Sequence, residues 1–141
     1  MPKIVVAMDG SEHAIRALHY AIDRARMTPG SSLAVVNVQA GIPASVTDFV
    51  GSDAVEGFHR DQADAECNEA RTALAEATDV PSEVVFLVGS PAEAIDQFVR
   101  ETGGEELVMG RRGLGTLGSI LMGSVATRIL HLVDVPVTLV K

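Results

Sequence analysis

Apolar and polar positions switch between two periods along this chain. Lys3 to Met8 (KIVVAM) is a short run rich in β-branched residues that stops at Asp9-Gly10-Ser11, and it predicts a buried strand. Ser11 suits a helix N-cap, and after it Ile15, Leu18, Ile22 and Ala25 recur at spacings of three and four. That stripe predicts a helix with one face on a core, ending near Thr28-Pro29-Gly30. Leu33 to Val38 (LAVVNV) predicts a second buried strand. The Gly/Pro/Ser-containing stretch from Gln39 to Ser52 reads as a loop. A helix over 54–78 follows, with Ala63, Cys67, Ala70, Leu74 and Ala77 on one face.

The second half repeats the rhythm. Val84 to Val88 (VVFLV) predicts a third strand. Ser90-Pro91-Ala92-Glu93 is a well-marked helix start: a Ser cap, Pro at the first helical position, and Glu three residues after the cap. Glu106 to Met109 is a short fourth strand, 110–119 a glycine-rich loop, 120–132 a helix, and Val135 to Val140 a closing fifth strand. Alternating strands and helices, with strands that are apolar throughout, predict a parallel sheet covered on both faces. Right-handed crossovers restrict this to doubly wound arrangements. Ligands in such sheets sit beyond the carboxyl ends of the strands, where the strand order reverses. If strands one and four are neighbours, the loops at Asp9 and Gly110 open on one crevice.

Composition narrows the function. At 141 residues and 47% hydrophobic, the chain suits a single domain with one compact core. It has no apolar run near the roughly 20 residues that span a bilayer, and no signal-peptide pattern after Met1, so the expectation is a cytoplasmic protein. The net charge of -8 argues against nucleic acid and against direct binding to an anionic membrane. The charge is uneven: residues 48–106 carry 15 acidic and 3 basic side chains, and the remainder 4 acidic and 8 basic. The less acidic part contains the glycine-rich loop, where an anion would be tolerated. The lone Cys67 excludes an internal disulfide and suits a buried helix face. His13, His19, His59 and His131 lack metal-ligand spacing, and no Ser-His-Asp order is suggested.

The chemistry concentrates in Gly110-Arg111-Arg112-Gly113-Leu114-Gly115-Thr116-Leu117-Gly118-Ser119, followed by Ile120-Leu121-Met122-Gly123-Ser124-Val125. Glycine permits positive φ and lets backbone N–H groups approach a phosphate. A helix starting near Ile120, or restarting near Gly123, would add unpaired N–H donors and a positive dipole end, with the Ser124 hydroxyl as a further donor. A loop of this composition also serves elsewhere as a plain connection. The Walker lysine is missing, and Met8-Asp9-Gly10-Ser11 lacks a dinucleotide fingerprint.

The spacing Gly110-x2-Gly113-x9-Gly123-Ser124 resembles the ATP-binding motif of the universal stress protein family. Ile4 to Ser11 resembles that family's first strand and loop, and Val135 to Val140 its last strand, so the likeness covers the whole chain. The resemblance implies a five-stranded parallel sheet ordered 3-2-1-4-5, Rossmann-like and of the adenine nucleotide alpha hydrolase type. It implies ATP, with Mg accompanying it, bound by Ala7, Met8, Asp9, Val38, Met109, Gly110, Arg112, Gly113, Gly123, Ser124 and Val125. Asp9 would lie near the ribose and the metal-phosphate region, and the Val38 backbone would meet adenine. Asp9 is equally a turn-former ahead of Gly10. Arg111 and Arg112 depart from the small or histidine residues frequent there, which leaves phosphate contact and solvated loop charge as alternatives. The family's last strand pairs across a two-fold axis, which implies a homodimer with Val137 and Leu139 near the interface; Pro136 fits such an edge.

Three functions follow. The first is a nucleotide-dependent regulator read by a partner protein, with a membrane transporter as one such reader. The second is a slow ATPase or autophosphorylating enzyme, with Ser119 or Ser124 as acceptor. The third is a structural or chaperone-like stress protein.

Overall fold

The computed structural model describes residues 2–111 and 123–141. Five strands alternate with helices: β1 Lys3–Ala7, α1 Glu12–Arg26, β2 Ser32–Gln39, α2 Ala44–Val50, α3 Ser52–Glu76, β3 Ser82–Val88, α4 Pro91–Thr102, β4 Glu106–Gly110, α5 Ser124–Leu132 and β5 Val137–Val140. The strands form one sheet in the order β3-β2-β1-β4-β5. All four pairings are parallel.

Both faces of the sheet are covered, so each strand splits its apolar residues between two cores. Ile4 and Val6 of β1, Leu33 and Val35 of β2 and Val108 of β4 face α1 and α3. Val5, Val36, Leu107 and Met109 face the opposite side, against α4 and α5. The predicted stripe of α1 is the one that is buried: Ile15, Leu18, Ile22 and Ala25 all lie in the first core. Ser11 caps this helix, its hydroxyl accepting from the Ala14 N–H at 3.2 Å. Cys67 is buried on the inner face of α3 with Ala63 and Ala70.

Several boundaries differ from the sequence pattern. The stretch read as a loop contains α2, a two-turn helix none of whose residues is buried. With no face on the core it has no apolar stripe to reveal it, and Pro43 at its N-cap and Gly51 at φ 92° delimit it. The α4 start is where the cap pattern put it, with Ser90 at the N-cap and Pro91 in the first turn, yet the Ser90 side chain makes no capping hydrogen bond. Glu93 does not turn back to the cap; its carboxylate accepts from Arg128 Nε of α5 at 2.8 Å. The last helix begins at Ser124 among the described residues, and β5 starts at Val137, two residues later than the pattern suggested. Pro136 ends just outside it, its carbonyl accepting from Leu107 N–H at 2.9 Å.

Candidate functional site

Placing β1 between β2 and β4 makes the chain cross over in opposite directions on either side of it. The loops leaving β1 and β4 therefore part to opposite faces, and a crevice opens at the carboxyl ends of these strands. A cleft of about 310 Å³ occupies this position. Its β1 wall is Ala7, Met8, Asp9 and Ser11; its β2 wall is Val36 and Val38; its β4 and α5 wall is Met109, Gly110, Arg111, Gly123, Ser124, Val125 and Ala126. Glu66 of α3 and Pro91 and Ile95 of α4 complete it. Nine of the residues singled out in the sequence line this one cleft: Ala7, Met8, Asp9, Val38, Met109, Gly110, Gly123, Ser124 and Val125. Arg112 and Gly113 lie outside the described residues.

The two walls differ in character. On the β4 side the backbone is open. Gly123 is the N-cap of α5 with φ -71° and ψ 161°, and no side chain caps the helix. The first backbone bond into α5 runs from Thr127 N–H to Gly123 O, so the N–H groups of Ser124, Val125 and Ala126 have no partner within the helix. All three residues line the cleft. Arg111 lines it too, held in place by its own N–H on Val140 O at 2.8 Å and by Gly123 N–H on its carbonyl at 2.9 Å. Its Nε is buried and makes no hydrogen bond among the described residues.

Gly110 is present for a reason different from the expected freedom of φ. It is not among the described glycines with positive φ. A Cβ there would lie 2.7 Å from His13 Cβ, 2.9 Å from the His13 carbonyl carbon and 3.0 Å from Ala14 N. The absent side chain lets the first turn of α1 press against the end of β4. Gly10, by contrast, does need glycine's backbone range, at φ 84°, and a Cβ there would meet Glu66 O at 3.0 Å. Between these contacts Asp9 is fixed as an Asx turn, its Oδ1 accepting from Ser11 N–H at 2.9 Å.

Behind the β2 wall, on the opposite face of the strand, lies a polar cluster that the sequence reading missed, and its member on α3, Glu66, reaches the cleft. Asn37 Nδ2 donates to Met8 O at 2.8 Å and to Glu66 Oε2 at 2.6 Å. Gln39 Nε2 donates to Asn37 Oδ1 at 2.7 Å and to Glu66 Oε2 at 3.0 Å. The available signal was Asn37 itself, a carboxamide interrupting an otherwise apolar strand. Glu66 gave none, because it sits in the most acidic helix. On the other side, Arg128 hydrogen-bonds Glu93 and holds its carboxyl below the usual carboxylate range, joining α4 to α5. Among the described residues no group of three or more His, Cys, Asp or Glu side chains is placed to hold a metal ion. Among the described residues no helix is long and apolar enough to cross a membrane.

A five-stranded parallel sheet ordered 3-2-1-4-5, with a cleft at the reversal point and an open helix N-terminus on one wall, defines the class: a doubly wound α/β domain built around one crevice. The sequence profile described as the universal stress protein family matches residues 1–141, and the chain belongs to that family. A universal stress protein of Thermus aquaticus is 36% identical over 142 residues, covering 98% of this chain and 97% of its own. Among solved structures, the hypothetical protein MJ0577 shares the fold with a TM-score of 0.85 at 23% identity, over 99% of this chain and 95% of its own. A universal stress protein solved in complex with cAMP has a TM-score of 0.77 at 23% identity, over 99% and 97% of the two chains. One from Archaeoglobus fulgidus in complex with dAMP has a TM-score of 0.72 at 24% identity, over 100% and 98%.

Proposed function

We propose that this chain binds an adenine nucleotide, ATP foremost, in the cleft at the carboxyl ends of β1 and β4. The observation that carries the reading is the β4 wall: three α5 N–H groups without a partner in the helix, the Ser124 hydroxyl and the Arg111 guanidinium all belong to residues that line one cleft. Backbone donors at a helix N-terminus with a guanidinium beside them suit a phosphate chain. The apolar β2 wall of Val36 and Val38 suits a purine face, and Asp9, at the end of β1 between β2 and β4 in the sheet, suits the ribose. The relatives captured with cAMP and dAMP support an adenine base. Arg112 and Gly113 belong to the same proposal through the glycine motif. Magnesium would arrive on the phosphates with its waters, since the described residues offer no carboxylate cage.

The nucleotide would act as a signal: Arg111 of the cleft wall is bonded to Val140 of the neighbouring edge strand, so occupancy of the cleft bears on that strand. β5 is the outer strand of the sheet, and all four of its residues are partly exposed. It is the proposed contact for a second copy through Val137 and Leu139, and the assembled surface is what a protein partner, such as a transporter, would read. Thermal melts test the binding. Ligand at about 100 times its Kd stabilises the native state by about 2.7 kcal/mol, several degrees for a domain of this size. ATP, ADP and AMP should each raise Tm, with ATP strongest; unchanged melts at millimolar nucleotide with magnesium would refute the reading.

A further inference from the structure

The adenine reading gives the base the backbone of Val38, and the polar cluster behind β2 bears on what further group would tell adenine from another flat ring. Asn37 is fully buried and Gln39 is 7% exposed. Each carboxamide has two hydrogens, and all four are used: two on Glu66 Oε2, one on Met8 O and one on Asn37 Oδ1. The amide orientations are therefore fixed, because reversing Asn37 would set its oxygen against the Met8 carbonyl. With its donors spent, the cluster can offer a ligand only an acceptor.

Of the three side chains only Glu66 lines the cleft, so that acceptor is Glu66. Both amide bonds fall on Oε2, and Oε1 carries neither. None of the ion pairs among the described residues includes this carboxylate, so its charge is held by neutral amides alone. The backbone of Glu66 is seated against Gly10, which fixes where α3 delivers the side chain. Glu66 lines the cleft on the β2 side, away from the α5 N-terminus. A half-buried, oriented carboxylate with acceptor capacity to spare is best matched by a ligand N–H. Adenine has one strong donor, its exocyclic amino group.

Resting on the adenine reading above, we infer that Glu66, held by Asn37 and Gln39, is the specificity residue that accepts a hydrogen bond from the adenine amino group. The test compares Kd values, by calorimetry, for ATP and for purine riboside 5′-triphosphate, which lacks only that amino group. The wild-type chain should prefer ATP by roughly 10- to 100-fold, the range for a hydrogen bond to a charged group. Glu66→Gln, which keeps the shape and removes the charge, should bring the ratio close to one while Kd for the deamino analogue changes little. Glu66→Asp, which keeps the charge but withdraws it by one methylene, should lose part of the preference; it gives the answer if the Gln variant melts well below wild type. An unchanged ATP preference in both variants, or no preference in the wild type, overturns the assignment to Glu66 and leaves the nucleotide site standing. If neither compound binds the wild type, the adenine reading itself fails and this inference with it.

Discussion

Gly110→Ala tests the geometry on which the cleft depends, because it adds a single methyl group at the contact between β4 and α1. The new Cβ would sit 2.7 Å from His13 Cβ, 2.9 Å from the His13 carbonyl carbon and 3.0 Å from Ala14 N. Carbon atoms in contact prefer about 3.5–4.0 Å, so the first turn of α1 would have to retreat by about 0.8 Å or more. No rotamer change can relieve this, since the neighbours are backbone atoms and a Cβ. Gly110 is itself held in the sheet opposite Val140. Overpacking of this kind costs about 1–3 kcal/mol, which for a domain of this length lowers Tm by about 3–12 °C. Gly57→Ala is the matched control: a Cβ at Gly57, within α3, meets nothing within 4 Å. It should stabilise the chain by about 0.5–1 kcal/mol through helix propensity. Paired circular-dichroism melts and urea titrations would therefore show shifts of opposite sign. A Gly110→Ala midpoint within about 1 °C of wild type, on the scale above, would mean that α1 does not lean on β4 as described, and the shape of the cleft wall would have to be redrawn.

Two further outcomes follow from titrating groups. Burial pushes the Cys67 thiol up, with smaller opposing and reinforcing effects from Arg71, Glu66 and Asp64, so the reactive thiolate is scarce in the folded chain. Labelling by a disulfide reagent at pH 8 should be slow and should accelerate in step with urea unfolding; fast labelling of the native protein would place the sulfur at the surface. Asp79 is held below its ordinary range chiefly by its hydrogen bond from Arg26, and Glu93 by that from Arg128. Groups lowered on folding contribute stability that is complete above the unfolded carboxylate range of about 4 and lost as pH falls through the lower folded values. Arg26→Gln with Arg128→Gln should therefore lower Tm slightly at pH 7 and not at all near pH 2. Because both pairs are exposed, molar salt should shrink the difference; a gap that persists at pH 2 would show that the arginines act through packing.

How much of this molecule could be read from its residues depends on which groups repeat along an element. Strands covered on both faces announce themselves as unbroken apolar runs, and α1 shows its stripe because Ile15, Leu18, Ile22 and Ala25 all meet the same sheet. The order of the strands came with the family resemblance, since nothing in the runs themselves states that β1 lies between β2 and β4. Once that adjacency holds, Asp9 and Gly110 must share a crevice, and the residues expected there among those described do. The failures have one physical origin: they are interactions between elements with no period in the chain. α2 buries nothing and so carries no stripe. Glu93 has the spacing of a capping box, but a guanidinium from α5 competes for its carboxylate and holds it. Gly110 lines the cleft, but the steric contact that also requires a glycine there comes from a helix almost a hundred residues earlier in the chain, where no spacing could show it. Glu66 is the sharpest case. Its identity matches the exposed acids around it on α3, and only the turn that brings it over Asn37 and Gln39 separates a cleft acceptor from a solvated charge. Asn37 was the half of that pair open to inspection: a carboxamide in a fully buried strand must find partners for two hydrogens. The carbonyl of Met8 uses one, so the second had to point to a further acceptor facing the end of β2, and that acceptor is Glu66.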